Sequence, residues 1–408
     1  MLTEVSNKKV LVRVDFNVPL DADFKITDDT RIRKALPSIK YLLSNGASVI
    51  LMSHLGRPLK NKKEDGSLDV QKFTLRHVVE HLAELTETKV HFANDCIGPE
   101  AFDKALALNS GEILLLENTR FHEGEKNGSD EMAAKLAKLA DLYINDAFGT
   151  AHRAHASTTT VAKYFKPNER SLGLLMEAEI ANADKVLKSP SRPALAILGG
   201  AKVSDKIKLI DRLMEFVNVI LIGGGMSYTF IKAAGGSIGN SLVENDYLDL
   251  AKELVERAKE LNVELLIPED SLIASGFSND GDVEIAQSHS IREGWMGLDI
   301  GPKAIKNYEA EILRAKTILW NGPVGVFEFS NFSKGTFAIA QAVADATKKG
   351  AYSMIGGGDS VAAISQAGLD DDVSFVSTGG GAMLEYLEGK KLPGIAAINS
   401  SEFVASDS

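Results

Sequence analysis

Residues 146–158 read DAFGTAHRAHAST and place His152 and His155 three positions apart, with Arg153 between them and Asp146 upstream. On a helix the two imidazoles would share a face, as two ligands of one metal do. A permanently cationic guanidinium between them opposes a second cation there. Residues of the same kind recur through the first half of the chain: Asp15 and Asn17, then Arg31, then Ser53, His54 and Arg57, then Glu117, Asn118, Arg120 and His122. One arginine at a loop end is ordinarily a solvated surface charge. Four of them, with histidines at comparable places, point to one pocket for a small, multiply charged anion. The opening stretch then forms a wall of that pocket, and a metal held by His152 and His155 becomes the second choice.

The second half carries different chemistry. Its apolar runs end in glycine at Gly199-Gly200, Gly223 to Gly225, Gly322, Gly356 to Gly358 and Gly379 to Gly381. Glycine lets backbone approach a ligand closely, and a helix starting just beyond offers free N–H groups to phosphate. One such site is only a turn, but five point to a nucleotide or another polyphosphate. Neither G-x-x-x-x-G-K-[ST] nor a strand-linked G-x-G-x-x-G is present, which counts against P-loop NTPases and against nicotinamide-dependent dehydrogenases. In GGAKVSDKIKLI (199–210), Lys202 and Lys206 stand four apart, on one face of an expected helix. They are either solvated lysines or, with Lys202 three residues past a strand, a catalytic cation over a phosphate. Asp359 and Ser360 in GGGDS suit a helix N-cap, a magnesium ligand beside a polyphosphate, or both. WNGPVGVFE (320–328) is either a plain loop or a nucleoside wall on which Glu328 accepts from ribose hydroxyls.

The elements that position these residues are short apolar runs alternating with helical patterns. The runs are VLVRVDF, ASVILMSH, EILLLEN and DLYINDAF in the first half. In the second they are ALAILGG, VNVILIGGG, VELLIPED, KTILWNGPVG, AYSMIGGGD and VSFVSTGGG. They are continuous rather than alternating, as in strands buried on both faces. Segments such as DEMAAKLAKLA (130–140) and YLDLAKELVERAKEL (247–261) carry helical spacing. Strand–helix alternation of this kind predicts an α/β protein with mainly parallel sheets. Residues 171–193 read as one long helix stopped by Pro190 and Pro193, either a core element or a connector between domains.

A chain of 408 residues exceeds one ordinary core and predicts at least two domains. At 44% apolar and 25% charged residues it has the balance of a globular protein. No apolar run approaches the roughly 20 residues that span a bilayer. The start, MLTEVSNKKV, lacks the apolar region of a secretory signal. The one cysteine, Cys96, excludes an intramolecular disulfide, fits a reducing cytoplasm and reads as buried filler. A net charge of −11 counts against broad nucleic-acid binding, so an anionic ligand must be gathered by local cationic pockets. Two α/β domains, one taking a small anion and the other a nucleotide, make phosphoryl transfer the economical reading.

In order along the chain, VRVDFNVPL, MSHLGRP, LLENTRFHEGE, NDAFGTAHRAHAST, LGGAKVSDKI, GWMGLDIGP, WNGPVGVFE, GGGDS and STGGGAMLEYLEGKKLPG resemble the motifs of the phosphoglycerate kinase family. The resemblance implies reversible phosphoryl transfer between 1,3-bisphosphoglycerate with ADP and 3-phosphoglycerate with ATP, with Mg2+ as cofactor. It implies a cytoplasmic monomer, with no nucleic-acid or membrane partner, built from two Rossmann-like domains joined by a connector helix. The expected boundaries are 1–171 for the phosphoglycerate domain, 172–190 for the connector and 191–392 for the nucleotide domain, with 393–408 packing back on the first. Carried over by motif, the substrate site is Asp15, Asn17, Arg31, His54, Arg57, Arg120 and Arg153. The nucleotide site is Gly200, Lys202, Lys206, Gly224, Gly297, Asn321, Pro323, Glu328, Gly357, Gly358, Asp359 and Ser360. Gly380 and Gly381 steady phosphate, Asp359 holds the metal, and Arg31 with Lys202 forms the catalytic pair. Ser360 stands where many relatives have threonine, and a hydroxyl remains. The expected alternative is a non-catalytic phosphometabolite-binding protein on the same fold.

Overall fold

A computed structural model describes residues 2–404. The chain divides into two compact units: one runs from the N-terminus to Ile180 and takes up the chain again from Lys391, and the other is Ala181–Lys390. The division falls inside helix Leu174–Leu187.

The first unit is built on six parallel strands: β1 (Lys9–Arg13), β2 (Ser48–Met52), β3 (Val90–Ala93), β4 (Ile113–Leu116), β5 (Leu142–Asn145) and β6 (Arg170–Leu172). Their spatial order is β3-β4-β2-β1-β5-β6. Successive strand residues point to opposite faces, so the apolar runs feed two cores at once. Val10, Val12, Val49, Leu51, Ile113 and Ile144 fill one face, and Leu11, Ile50, Leu114, Leu116 and Tyr143 fill the other. Helices on both sides cover the sheet, which is why these strands read as unbroken apolar stretches.

The second unit repeats the plan. Its strands in chain order are β7 (Ala194–Leu198), β8 (Val219–Ile222), β9 (Ser237–Ile238), β10 (Glu264–Leu266), β11 (Asp270–Ala274), β12 (Val283–Gln287), β13 (Ser290–Ile291), β14 (Met296–Ile300), β15 (Thr317–Asn321), β16 (Tyr352–Ile355) and β17 (Phe375–Val376). The main sheet is parallel, in the order β10-β8-β7-β15-β16-β17. A three-stranded antiparallel sheet, β12-β11-β14, stands beside it, with a further β13-β9 pair. In the first sheet β1 has β2 on one side and β5 on the other, and in the second β7 has β8 and β15. Each of those central strands marks the place where strand order reverses, and in open α/β sheets ligands bind beyond the carboxyl ends there.

Four details differ from the sequence reading. Edge strands β3 and β6 and the small antiparallel sheet were not expected, because their residues make no continuous apolar run. VELLIPED is not one strand: Pro268 falls between β10 and β11. The connector helix starts at Leu174 rather than 171 or 172 and ends at Leu187, short of the expected 190. A Cβ on Gly173 would lie 2.3 Å from Asp146 Cγ, so a close turn separates β6 from the helix. The helix start is held by side chains, with Leu174 N donating to Ser38 Oγ at 2.9 Å and Met176 N to Asp146 Oδ1 at 3.1 Å. Finally, Lys202 and Lys206 do not share a helical face: Gly200 has φ +120°, the chain turns through 202–205, and the helix begins at Ile207.

The returning segment is fastened within the first unit. Helix Pro393–Asn399 lies against the loop after β5, where Gly394 N donates to Ala151 O at 2.8 Å. Arg170 is buried and donates to five backbone carbonyls, those of Ala162, Phe165, Ile398, Ser400 and Glu402. Hydrogen bonds from a buried charge are among the stronger ones. Arg170→Ala should cost about 2–4 kcal/mol of stability and open residues 391–404 to limited proteolysis, with Arg170→Lys recovering only part. Parent-like protection of that segment in Arg170→Ala would show that the arginine is not its tether.

Candidate active site

In the first unit the expected residues collect at the strand ends. Asp15 follows β1 and takes a 3.0 Å ion pair from Arg31, which sits in the first turn of helix Thr30–Ser44. Asn17 Oδ1 accepts from Gly56 N at 2.7 Å, tying the loops after β1 and β2 together. His54, after β2, is buried, and its Nδ1 lies 3.2 Å from Arg13 Nη2 and 3.8 Å from Asp15 Oδ1. Burial, and then the charges of Arg13, Arg120, Arg31 and Arg153, hold its pKa well below the ordinary value.

Arg120 is the key cation. It sits in a short 3-10 turn after β4, capped by Asn118 Oδ1 accepting from its backbone N at 3.0 Å. It is 3% exposed, and Nη1 donates to Gly56 O at 2.8 Å. Its Nε and Nη2 are buried and have no hydrogen-bond partner among the described residues. Buried guanidinium nitrogens are costly to leave unpaired, so this arrangement suits an anion. Burial first, and then Arg13 and Arg153, lower its pKa to about 10. Lys126 belongs to the same neighbourhood: burial lowers its pKa, and Arg120, Lys60, Arg57 and Arg153 lower it further. Arg57 is exposed, and Arg153 Nε reaches His152 Nε2 at 3.2 Å.

The pocket corrects several expectations. The 146–158 segment is not an α-helix, since only a 3-10 turn at Phe148–Thr150 interrupts its loop. His155 is buried with Nδ1 3.9 Å from Glu125 Oε1, and burial lowers its pKa to about 4. The two histidines therefore do not converge as metal ligands. His122 turns to Asp95, with Nε2 2.6 Å from Oδ1. Glu117 accepts from Thr74 Oγ1 and Leu75 N and serves the loop rather than the pocket. Ser53 accepts from Phe16 N. Among the described residues, one Asp/Cys/His group of metal-ligand type converges, Asp95, Cys96 and His122. The Cys96 thiol there is buried, and burial pushes its pKa well above the ordinary value. Arg13 and Lys126 were missed, although an arginine inside the apolar run VLVRV was a usable signal for the first.

In the second unit the glycine-ended strands bring their loops into backbone contact. A Cβ on Gly199 would lie 1.9 Å from Pro323 O, and one on Gly322 would lie 2.1 Å from Gly199 O. Only glycine allows the ends of β7 and β15 to meet so closely. Gly200 N donates to Pro323 O at 3.1 Å and Gly224 N to Val324 O at 2.9 Å, which completes the floor.

Two adjoining cavities open on that floor. One, of about 390 Å³, is lined by Gly200, Gly224, Gly297, Pro323, Glu328 and Asp359, with apolar walls from Leu242, Phe277 and Val326. The other, of about 520 Å³, is lined by Lys202, Lys206, Asn321, Gly357 to Ser360, Gly380 and Gly381. Helices starting at Ile207, Gly358 and Gly381 begin around the second cavity, and their first N–H groups suit phosphate. Lys206 Nζ donates to Asn321 Oδ1, while Asn321 Nδ2 is buried without a partner among the described residues. Lys202 and Glu328 are exposed. Ser360 is buried, and its Oγ accepts from Gly322 N, so its hydroxyl joins the loop after β15 to the next helix. The N-cap of that helix is Gly357, and Asp359 makes no capping hydrogen bond. Asp359 lines both cavities and is exposed. A further cavity, of about 1010 Å³, lies in the first unit with a mixed lining of Asp28, Asp29, Glu80 and Glu84 together with Lys25, Arg76, His77 and His81.

A family model described as phosphoglycerate kinase matches residues 2–390. The phosphoglycerate kinase of Porphyromonas gingivalis is 50% identical over 416 residues, covering 96% of this chain and 98% of the relative. The cytosolic phosphoglycerate kinase of Nicotiana tabacum is 51% identical over 400 residues, covering 98% and 97%. Among solved structures, phosphoglycerate kinase from Coxiella burnetii superposes with a TM-score of 0.86 at 41% identity, with 97% of each chain covered. That from Pyrococcus horikoshii gives 0.80 at 31% identity, covering 98% and 99%.

The buried titratable groups of the first unit predict its behaviour in acid. His54 and His155 are held neutral in the fold but titrate near about 6.5 when unfolded. Their contribution is therefore complete above about pH 6.5 and is lost as pH falls through that value. Asp146 has the opposite sign: burial raises its pKa to about 6, so the fold gains stability as pH drops through that value. His155→Gln should lose stability less steeply than the parent between about pH 6.5 and 4, measured by denaturant unfolding across pH. Equal slopes in the two proteins would show that protonation of His155 is not resisted by the fold.

Proposed function

The chain belongs to the phosphoglycerate kinase family, and from that premise we infer how its residues divide the work of the reaction. A phosphotransferase with a carboxyl acceptor moves a phosphoryl group between ATP and the carboxylate of 3-phosphoglycerate. Family membership over nearly the whole chain does not favour a non-catalytic binding protein.

The carboxylate oxygen attacks the γ-phosphorus, and the bond from that phosphorus to the bridging oxygen of ADP breaks. The products are an acyl phosphate and ADP. A carboxylic acid of pKa near about 4 is already ionised at neutral pH, so the nucleophile needs no general base. What it needs is alignment and charge stabilisation. Asp15, Asn17, His54, Arg57, Arg120 and Arg153 hold the three-carbon acid, and the observation that carries this assignment is buried Arg120 with two unpartnered nitrogens. The apolar cavity takes the base and ribose, with Glu328 accepting from hydroxyls and Gly297 leaving room for the ring. The neighbouring cavity takes the phosphates, against Lys206, Asn321 and the helix starts at Gly358 and Gly381. Ser360 contributes by holding the Gly322 loop in place.

The family resemblance assigns Arg31 of the first unit and Lys202 of the second to the transferring phosphoryl group. Reacting atoms must come within about 3–3.5 Å, so we assign a hinge-bending cycle in which the units close on both substrates and exclude water. Asp359 fits Mg2+: it is a hard oxygen donor without a capping role, beside the phosphate cavity. The metal, when bound, would neutralise phosphate charge. The reading includes a cytoplasmic monomer acting on small molecules alone, in line with the relative described as cytosolic and with the −11 net charge. Among the described residues no helix is long and apolar enough to cross a membrane.

A coupled assay of ATP-dependent phosphorylation of 3-phosphoglycerate tests the assignment. Lys202→Ala should lower kcat on the order of 100-fold or more, with little change in nucleotide affinity. Arg120→Ala should raise the KM for 3-phosphoglycerate about tenfold or more, and Asp359→Asn should raise the magnesium requirement. Unchanged kinetics in all three would sink the site. Small-angle scattering should give the most compact particle with both substrates bound, and identical profiles for the free and doubly bound protein would refute the hinge.

A further inference from the structure

Behind the cations of the first unit runs a line of four buried side chains: Glu125, Ser157, Arg13 and His54. Glu125 is fully buried in the short helix Glu123–Lys126. Both of its carboxyl oxygens face Ser157: Oε1 accepts from Ser157 Oγ at 2.6 Å, and Oε2 accepts from Ser157 N at 3.0 Å. A serine hydroxyl has one proton. With that proton committed to Glu125, the lone pairs of Oγ are left to accept, and Arg13 Nε donates to them at 2.7 Å. Arg13 Nη1 donates to Val14 O, which leaves Nη2 aimed at His54 Nδ1 across 3.2 Å.

Arginine only donates, so this contact makes Nδ1 the acceptor of a neutral imidazole. The ring proton then sits on Nε2, which has no hydrogen-bond partner among the described residues. The competing tautomer has an outlet: Nδ1 lies 3.8 Å from Asp15 Oδ1 and would donate toward it if Arg13 were displaced. That tautomer would present a lone pair at Nε2, which repels an anionic oxygen. We propose that Glu125 is a positioning residue for the acid-substrate site, acting through Ser157 and Arg13 to hold His54 as the Nε2–H donor.

The charges around the imidazole are Arg13, Asp15, Arg31, Arg120 and Arg153. The cationic majority, together with burial, keeps the ring neutral, so its tautomer rather than its charge is what the relay selects. The proposal rests on assigning the first-unit pocket to 3-phosphoglycerate, but its primary readout needs no substrate.

Two-bond proton–nitrogen correlation spectra of 15N-labelled protein distinguish the two tautomers, with the His54 signals assigned by their loss in His54→Gln. The ligand-free parent should show Nε2 protonated and Nδ1 unprotonated. In Glu125→Gln and Ser157→Ala the His54 signals should move toward the Nδ1–H form. The KM for 3-phosphoglycerate should rise about tenfold, while that for ATP stays within about twofold. Ser157→Cys, close in volume with a weaker acceptor, should show the same change and guards against misfolding of the other two. A parent His54 protonated on Nδ1 overturns the proposal, as do folded variants that keep the parent tautomer and KM. A parent that fails to phosphorylate 3-phosphoglycerate would instead overturn the functional assignment and leave the tautomer result readable.

Discussion

The first unit is arranged around charge that it does not neutralise. Arg120 is buried with two nitrogens unpaired, close enough to Arg13 and Arg153 to be perturbed by both. Gathering like charges out of water is unfavourable unless something fixes each of them. Three of the cations are accordingly held by another group: Arg31 by Asp15, Arg120 by the Gly56 carbonyl and Arg13 by Ser157. Those holders sit in loops fastened to rigid strand ends, so the unfavourable arrangement persists until a ligand satisfies it.

The second unit solves a different problem with backbone. The cavities proposed to take the nucleotide depend on two strand ends approaching within contact distance. Gly199 and Gly322 permit that approach because any side chain would collide with the opposite backbone. The consequence reaches Ser360, whose hydroxyl is spent on Gly322 N. A residue in the phosphate-side cavity thus acts by holding the loop, and a threonine there would keep the same oxygen.

The strands buried on both faces were legible, because burial on two sides leaves an unbroken apolar signature. The glycines and arginines beyond them were legible because strand ends are where such sheets bind ligands. Edge strands β3 and β6 and the antiparallel sheet around β11 were not, since polar residues interrupt their apolar stretches. Helical periodicity placed Lys202 and Lys206 on one face, but the turn set by Gly200 overrode it. His122 matched the pattern of a pocket residue by type and position, and only three-dimensional packing shows it committed to Asp95. Glu125 was invisible for the same reason, being one of many acids on a charged stretch until the fold buries it.

The fastening of the chain after Lys391 by Arg170 bears on how the molecule is made. Ribosomes deliver the chain from the N-terminus, so every residue of the second unit, Ala181–Lys390, is synthesised before the segment that completes the first. The carbonyls of Ile398, Ser400 and Glu402 that Arg170 binds arrive only after all of it. A buried guanidinium must wait, solvated or transiently paired, while some two hundred residues of another unit emerge and fold. The first unit is therefore begun before the second and completed only after the second has been synthesised.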